Sequence, residues 1–147
     1  MREILFRGKP LKNLHGKFMY GNLGVIDTDL CAIYHCFEFE ADEMQLVDIG
    51  TVGQYTGLKD KNGNKIFEGD IVKREYTLWY GEPKKTRETQ IGVVSYSNKD
   101  CGFCLDKVCN LRKPWDGDTL EIIGNIYDNS KEALEKQIPK KHSKKNL

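Results

Sequence analysis

No apolar run in this chain approaches the ~20 residues that a membrane-spanning helix needs, which excludes a helical membrane protein. The first fifteen residues, Met1 to His15, alternate charge with apolar groups in place of a signal-peptide core, so a soluble, cytosolic protein is expected. Three catalytic signatures are also missing: G-x-x-x-x-G-K-[ST], G-x-S-x-G and H-E-x-x-H, which leaves no phosphate loop, serine elbow or zinc helix to read. An excess of charge of either sign is nearly absent as well. Lys and Arg number 23 against 22 Asp and Glu, a net +1, too little for bulk electrostatic capture of DNA or anionic lipid. Cysteine comes as five residues (Cys31, Cys36, Cys101, Cys104 and Cys109), an odd count that reads as reduced thiols and not a disulfide framework.

What the chain does have is 147 residues, 39% of them hydrophobic and 31% charged. That is enough to bury one core under a solvated surface, and it rules out a disordered regulator. The dominant hydrophobic period is two, the mark of strands with one wet face, and helical stretches are scarce.

Strands are expected at 2–7, 17–20 and 31–39, followed by a loop at 40–43. Asn62-Gly63 offers two residues tolerant of positive φ for a tight hairpin, and Glu68-Gly69-Asp70 makes a bend before a strand that begins at Ile71. Gly81 to Arg87, polar and proline-containing, should be the mobile tip of a long hairpin that returns at 90–96. Further strands are expected at 103–108 and 120–127, the last bulged at Gly124, while Gly50, Gly53 and Gly57 read as turn residues. Asp128 to Ser130 can cap a short helix over 131–136, and residues 140–147 should be disordered. The six lysines between Ser130 and Leu147 face only Glu132 and Glu135, a local +4.

The expected fold is mainly β: a small β-barrel or sandwich-like domain with an extra N-terminal β lobe and a short C-terminal helix. Residues 1–129 form the domain, with lobes at about 1–57 and 58–129, and 130–147 form the helix and a basic tail.

Met1 to Lys9, Gln54 to Gly63 with Ile66 to Val72, and Ile123 to Tyr127 together resemble the YopX family, in that family's order. The resemblance implies a mainly-β fold, a phage or prophage origin and a life in the cytoplasm of a bacterial host. It brings no catalytic residue and no cofactor with it.

Asp60, Glu68 and Asp70 flank tight turns and are the candidates for a divalent cation or for acid-base work. Their spacing does not fit a calcium loop, since Gly63 stands fourth from Asp60 where sixth is needed, and bonding to turn amides is the plainer role. Cys101-x-x-Cys104 with Cys109 lacks a second close pair for zinc, because Cys31 and Cys36 are too widely spaced. Small buried hydrophobes are the expectation there. The third cluster is Lys73, Arg74, Tyr76, Trp79, Tyr80, Lys84, Lys85 and Arg87, cations beside aromatics as single-stranded nucleic acid binding uses them. Cross-strand packing explains aromatics in a β protein equally well. The sequence therefore points to a non-enzymatic binding module for a host or phage protein or for nucleic acid, with no membrane partner. A metal-dependent enzyme built on the acidic cluster is one alternative. The other is a homo-oligomer assembled through open β edges.

Overall fold

A computed structural model describes residues 1–34, 44–79, 81, 85–106, 109–111 and 118–129. Among the described residues, eleven strands and one 3-10 turn make up the regular structure: β1 (Phe6–Gly8), β2 (Met19–Asp27), β3 (Leu30–Tyr34), β4 (Met44–Val47), the turn (Ile49–Thr51), β5 (Gly53–Lys59), β6 (Lys65–Phe67), β7 (Asp70–Trp79), β8 (Lys85–Ser97), β9 (Gly102–Leu105), β10 (Cys109–Asn110) and β11 (Thr119–Asn125). The protein is mainly β, as the period-two pattern predicts. The helix expected at 131–136 and the tail lie outside the described residues.

Six strands form one sheet in the order β4-β3-β2-β1-β5-β6, and five form the other in the order β10-β9-β8-β7-β11. All the strand pairs are antiparallel. The first sheet curls back on itself. Pro10 bridges Val47, Leu11 N–H donates to Leu46 O at 3.1 Å and Asp48 N–H donates to Lys9 O at 2.9 Å, so the chain just past β1 covers the Leu46–Val47 end of the β4 edge. Inside the curl, Cys31, Ile33 and Val47 are buried against Phe6, Met19, Leu23 and Val52.

A second core joins the two sheets. Ile66 of β6 is buried with Val72, Val94, Leu105 and Leu120, and Leu58, Leu111 and Ile122 pack around them. The β5–β6 hairpin thus lies over the five-stranded sheet, held by Lys61 N–H to Leu120 O at 2.8 Å and Gly69 N–H to Val94 O at 2.9 Å. Full burial of each of these aliphatic side chains contributes roughly 1.5–3 kcal/mol.

Several local expectations are corrected. The opening strand is shorter, Phe6–Gly8, and β4 and β5 stand where no strand was expected. Gly53 and Gly57 are not turn residues. Both lie in β5: a Cβ at Gly53 would meet Glu68 O at 2.5 Å, and Gly57 takes φ +87° where the β5–β6 register shifts. The turn expected at Asn62-Gly63 is present, with Gly63 at φ +84° and Asn62 not in that region, inside a five-residue loop between the paired Lys59 and Lys65. The strand expected at 103–108 breaks after Leu105, where Asp106 takes φ +55° and donates its N–H to Val93 O. The chain then folds back, so that Cys109 stands opposite Leu105 and Asn110 opposite Cys104. The bulge at Gly124 and the bend at Gly69, with φ +85°, are as expected.

Candidate functional site

Arg7 of β1 and Lys9 just beyond it each reach an acid distant in sequence, Asp70 at the start of β7 and Asp128 in the turn after β11. Arg7 Nη2 lies 2.7 Å from Asp70 Oδ1, with side chains 5% and 3% exposed, and it also donates to Glu68 O at 3.1 Å. Its guanidinium stacks 4.2 Å from the Phe18 ring centre and 5.0 Å from that of Phe67. Burial pushes the Asp70 carboxyl up, and the charge of Arg7 and the Phe67 N–H pull against it. Arg7 Nε is buried without a hydrogen-bond partner. A pair so completely removed from water contributes order more than net stability.

Lys9 is anchored through its backbone, with N–H to Thr51 Oγ1 at 2.8 Å. Its ammonium passes 4.4 Å from the Phe18 ring centre to reach Gly16 O at 2.6 Å and both oxygens of Asp128 at 2.9 and 3.0 Å. Asp128 is further held by Asn125 Nδ2 at 3.0 Å, and the bonds from Asn125 and then Lys9 keep its carboxyl below the usual range. The ion pair stands at the wall of a cleft of about 530 Å³ lined by Lys9, His15, Gly16, Lys17, Phe18, Tyr20 and Asp128. Sequence reasoning missed this cleft. His15 carried no motif, and the two charges that define it stand 119 positions apart.

The acidic residues singled out from sequence are each committed to the fold. Asp60 accepts from Asn62 N–H and Asn64 N–H, both at 2.9 Å, and from Ile122 N–H at 3.3 Å; burial works to raise its pKa, and these amides together hold it below the usual range. Glu68 Oε1 accepts from Gln54 N–H at 3.1 Å, and Asp70 Oδ2 from Phe67 N–H at 2.8 Å. The three carboxylates thus hold different amides. Among the described residues no group of three or more His, Cys, Asp or Glu is placed to hold a metal ion.

Cys31, Cys101 and Cys104 are free thiols, Cys31 and Cys104 buried and Cys101 exposed. Burial, with the Asp48 charge adding to it, raises the Cys31 thiol, as suits an inert packing residue. Cys36 lies outside the described residues, and Cys109 is described by strand position only.

The basic and aromatic cluster falls on the β7–β8 hairpin. Lys73 Nζ pairs with Glu121 at 2.8 Å, Arg74 with Asp118 at 3.3 Å and Arg87 with Glu75 at 3.1 Å. The Arg74 guanidinium covers the Tyr76 ring at 4.9 Å. Tyr80 and Lys84 lie outside the described residues, and Trp79 and Lys85 are described by strand position alone, opposite one another.

The hairpin outruns its neighbours. β11 pairs with β7 only as far as Glu75, and β9 pairs with β8 only from Val94 onward, while β7 and β8 continue together to Trp79 and Lys85. Val93 turns both its N–H and its C=O toward Asp106, on the β9 side. Because these groups alternate sides along a strand, those of Thr89 and Ile91 point the same way, to an edge where no described strand stands.

These features define a small mainly-β protein of two antiparallel sheets, tied by the buried Arg7–Asp70 pair and the partly exposed Lys9–Asp128 pair and extended by a two-stranded ribbon. The profile of the family described as YopX protein matches residues 22–134, and the chain belongs to that family. No curated protein and no solved structure matches it.

Proposed function

We propose that this chain is a non-catalytic binding module, phage- or prophage-encoded and acting in the cytoplasm of a bacterial host, that takes up an extended strand of a protein partner along the outer edge of β8. The carrying observation is the ribbon whose Thr89 and Ile91 backbone groups face an edge without a described strand. Such an edge is a template for strand addition, in which main-chain bonds give affinity. The pairing of Lys73, Arg74 and Arg87 with Glu121, Asp118 and Glu75 supports a protein over a nucleic acid, since cations already neutralised within the sheet add little to phosphate tracking. That Asp60, Glu68 and Asp70 are taken up by backbone amides supports a non-catalytic role.

Thr89→Pro tests the reading, because it deletes an outward N–H and leaves the β7 ladder whole. Host and phage proteins retained by the wild type should be lost by this variant at unchanged Tm, and hydrogen exchange at Ile91 should slow in the complex. A partner held equally by both proteins overturns the proposal. So does single-stranded DNA binding that weakens steeply between about 50 and 200 mM salt with no protein retained.

A further inference from the structure

The cleft beside β1 is independent of the ribbon, and its charges do not balance. Lys9 and Lys17 face a single carboxylate, Asp128, so these three groups carry a net +1. Lys9 is 2% exposed, whereas Asp128 is 40% exposed, with the cleft open in front of it. The carboxylate therefore sits in the mouth and the ammonium at the floor. Lys9 Nζ has three acceptors (Gly16 O and the two Asp128 oxygens), which is the coordination an anion's oxygens would complete if Asp128 withdrew. An incoming monoanionic carboxylate would only replace Asp128 like for like. A phosphomonoester, at about −2 near neutral pH, matches the +2 of the two lysines and gains from the exchange.

Size and shape add a second requirement. About 530 Å³ is far more than one phosphate group fills, and it falls in the range of small-ligand sites. Tyr20, 42% exposed, forms part of the wall, its ring braced edge-on by Phe67 at 5.4 Å between centroids. A flat ring joined to the phosphate has this surface to lie on.

We propose that the cleft is a binding site for a nucleotide-type ligand, its phosphate seated by Lys9, His15 and Lys17 and its base against Tyr20, and that Asp128 is the chain's own placeholder for that phosphate. A free mononucleotide and the 5′ end of a strand share this chemistry. The test uses the full chain and isothermal titration with inorganic phosphate, AMP, adenosine, and a short oligonucleotide with and without a 5′ phosphate.

AMP should bind at least tenfold more tightly than either phosphate or adenosine. Asp128→Asn should tighten AMP about tenfold, and AMP should raise the Tm of that variant more than that of the wild type, because the ligand then supplies the counterion Lys9 has lost. Lys17→Ala, at an exposed position, should keep the fold and weaken AMP severalfold, and Tyr20→Leu should weaken AMP without changing the response to phosphate. A 5′-phosphorylated oligonucleotide binding more tightly than AMP names a strand end as the source, and equal binding names the free nucleotide. The proposal is overturned if Asp128→Asn binds AMP no better than the wild type. It is equally overturned if adenosine binds as tightly as AMP.

Discussion

Asp60 shows how much one side chain can organise. Its carboxylate accepts hydrogen bonds from the amides of Asn62, Asn64 and Ile122 and from the Asn64 side chain, so it closes the β5–β6 loop and fastens that loop to β11. Asp60→Ala should cost about 1.5–3 kcal/mol at pH 7 in urea denaturation. Its folded pKa lies below the unfolded value of about 3.9. The contribution is therefore present above that value and disappears as pH falls through the folded pKa, so wild type and variant should converge in acid. Arg7→Met should be more damaging, about 3–5 kcal/mol, because it strands a buried Asp70 charge; adding Asp70→Asn should restore part of that loss in a double-mutant cycle. Asp60 was legible in the sequence as far as its local partners, Asn62 and Asn64, because turns need such a carboxylate; its bond to Ile122, 62 positions away, was not. The partners of Arg7 were not, since no local rule connects β1 to residue 70.

The elements follow the sequence where one face is wet and depart from it where backbone meets backbone. β7 and β8 pair as the long hairpin the sequence implies, and the bulge at Gly124 was readable because a lone glycine in a strand implies one. β4 was not readable. Met44 and Leu46 are exposed and Val47 is buried, so apolar residues occupy both faces and the alternation is lost. Gly92, like Gly53, is a case of close approach, here to a side chain: a Cβ there would meet Leu105 Cγ at 2.5 Å. Gly92→Val should destabilise by roughly 1–3 kcal/mol through overpacking, read as a shift in the urea midpoint. The ribbon's hydrogen-bond phase has its own check. Gln90→Pro removes an N–H from the β7 ladder and should lower Tm by several degrees, whereas Thr89→Pro, one residue away, should leave it nearly unchanged.

Across the whole molecule, the first core lies within the six-stranded sheet, the second draws Leu58 of β5 and Ile66 of β6 from that same sheet against the five-stranded one, and the ion pairs of Arg7 and Lys9 tie β1 and its extension to the bend at Asp70 and the turn at Asp128. Heat should therefore unfold both in one transition, with calorimetric and van't Hoff enthalpies equal. Lys9→Met should lower the midpoint and let amides around Ile33 exchange ahead of those around Val72. No helix among the described residues is long and apolar enough to cross a membrane. The pairing of Lys9 with Asp128 also orders events in time during synthesis. A ribosome adding about 5–20 residues per second needs on the order of ten seconds between these two codons. For that interval the nascent first sheet carries a lysine whose counterion does not yet exist, so the native β1 environment can be completed only once the last strand has left the exit tunnel.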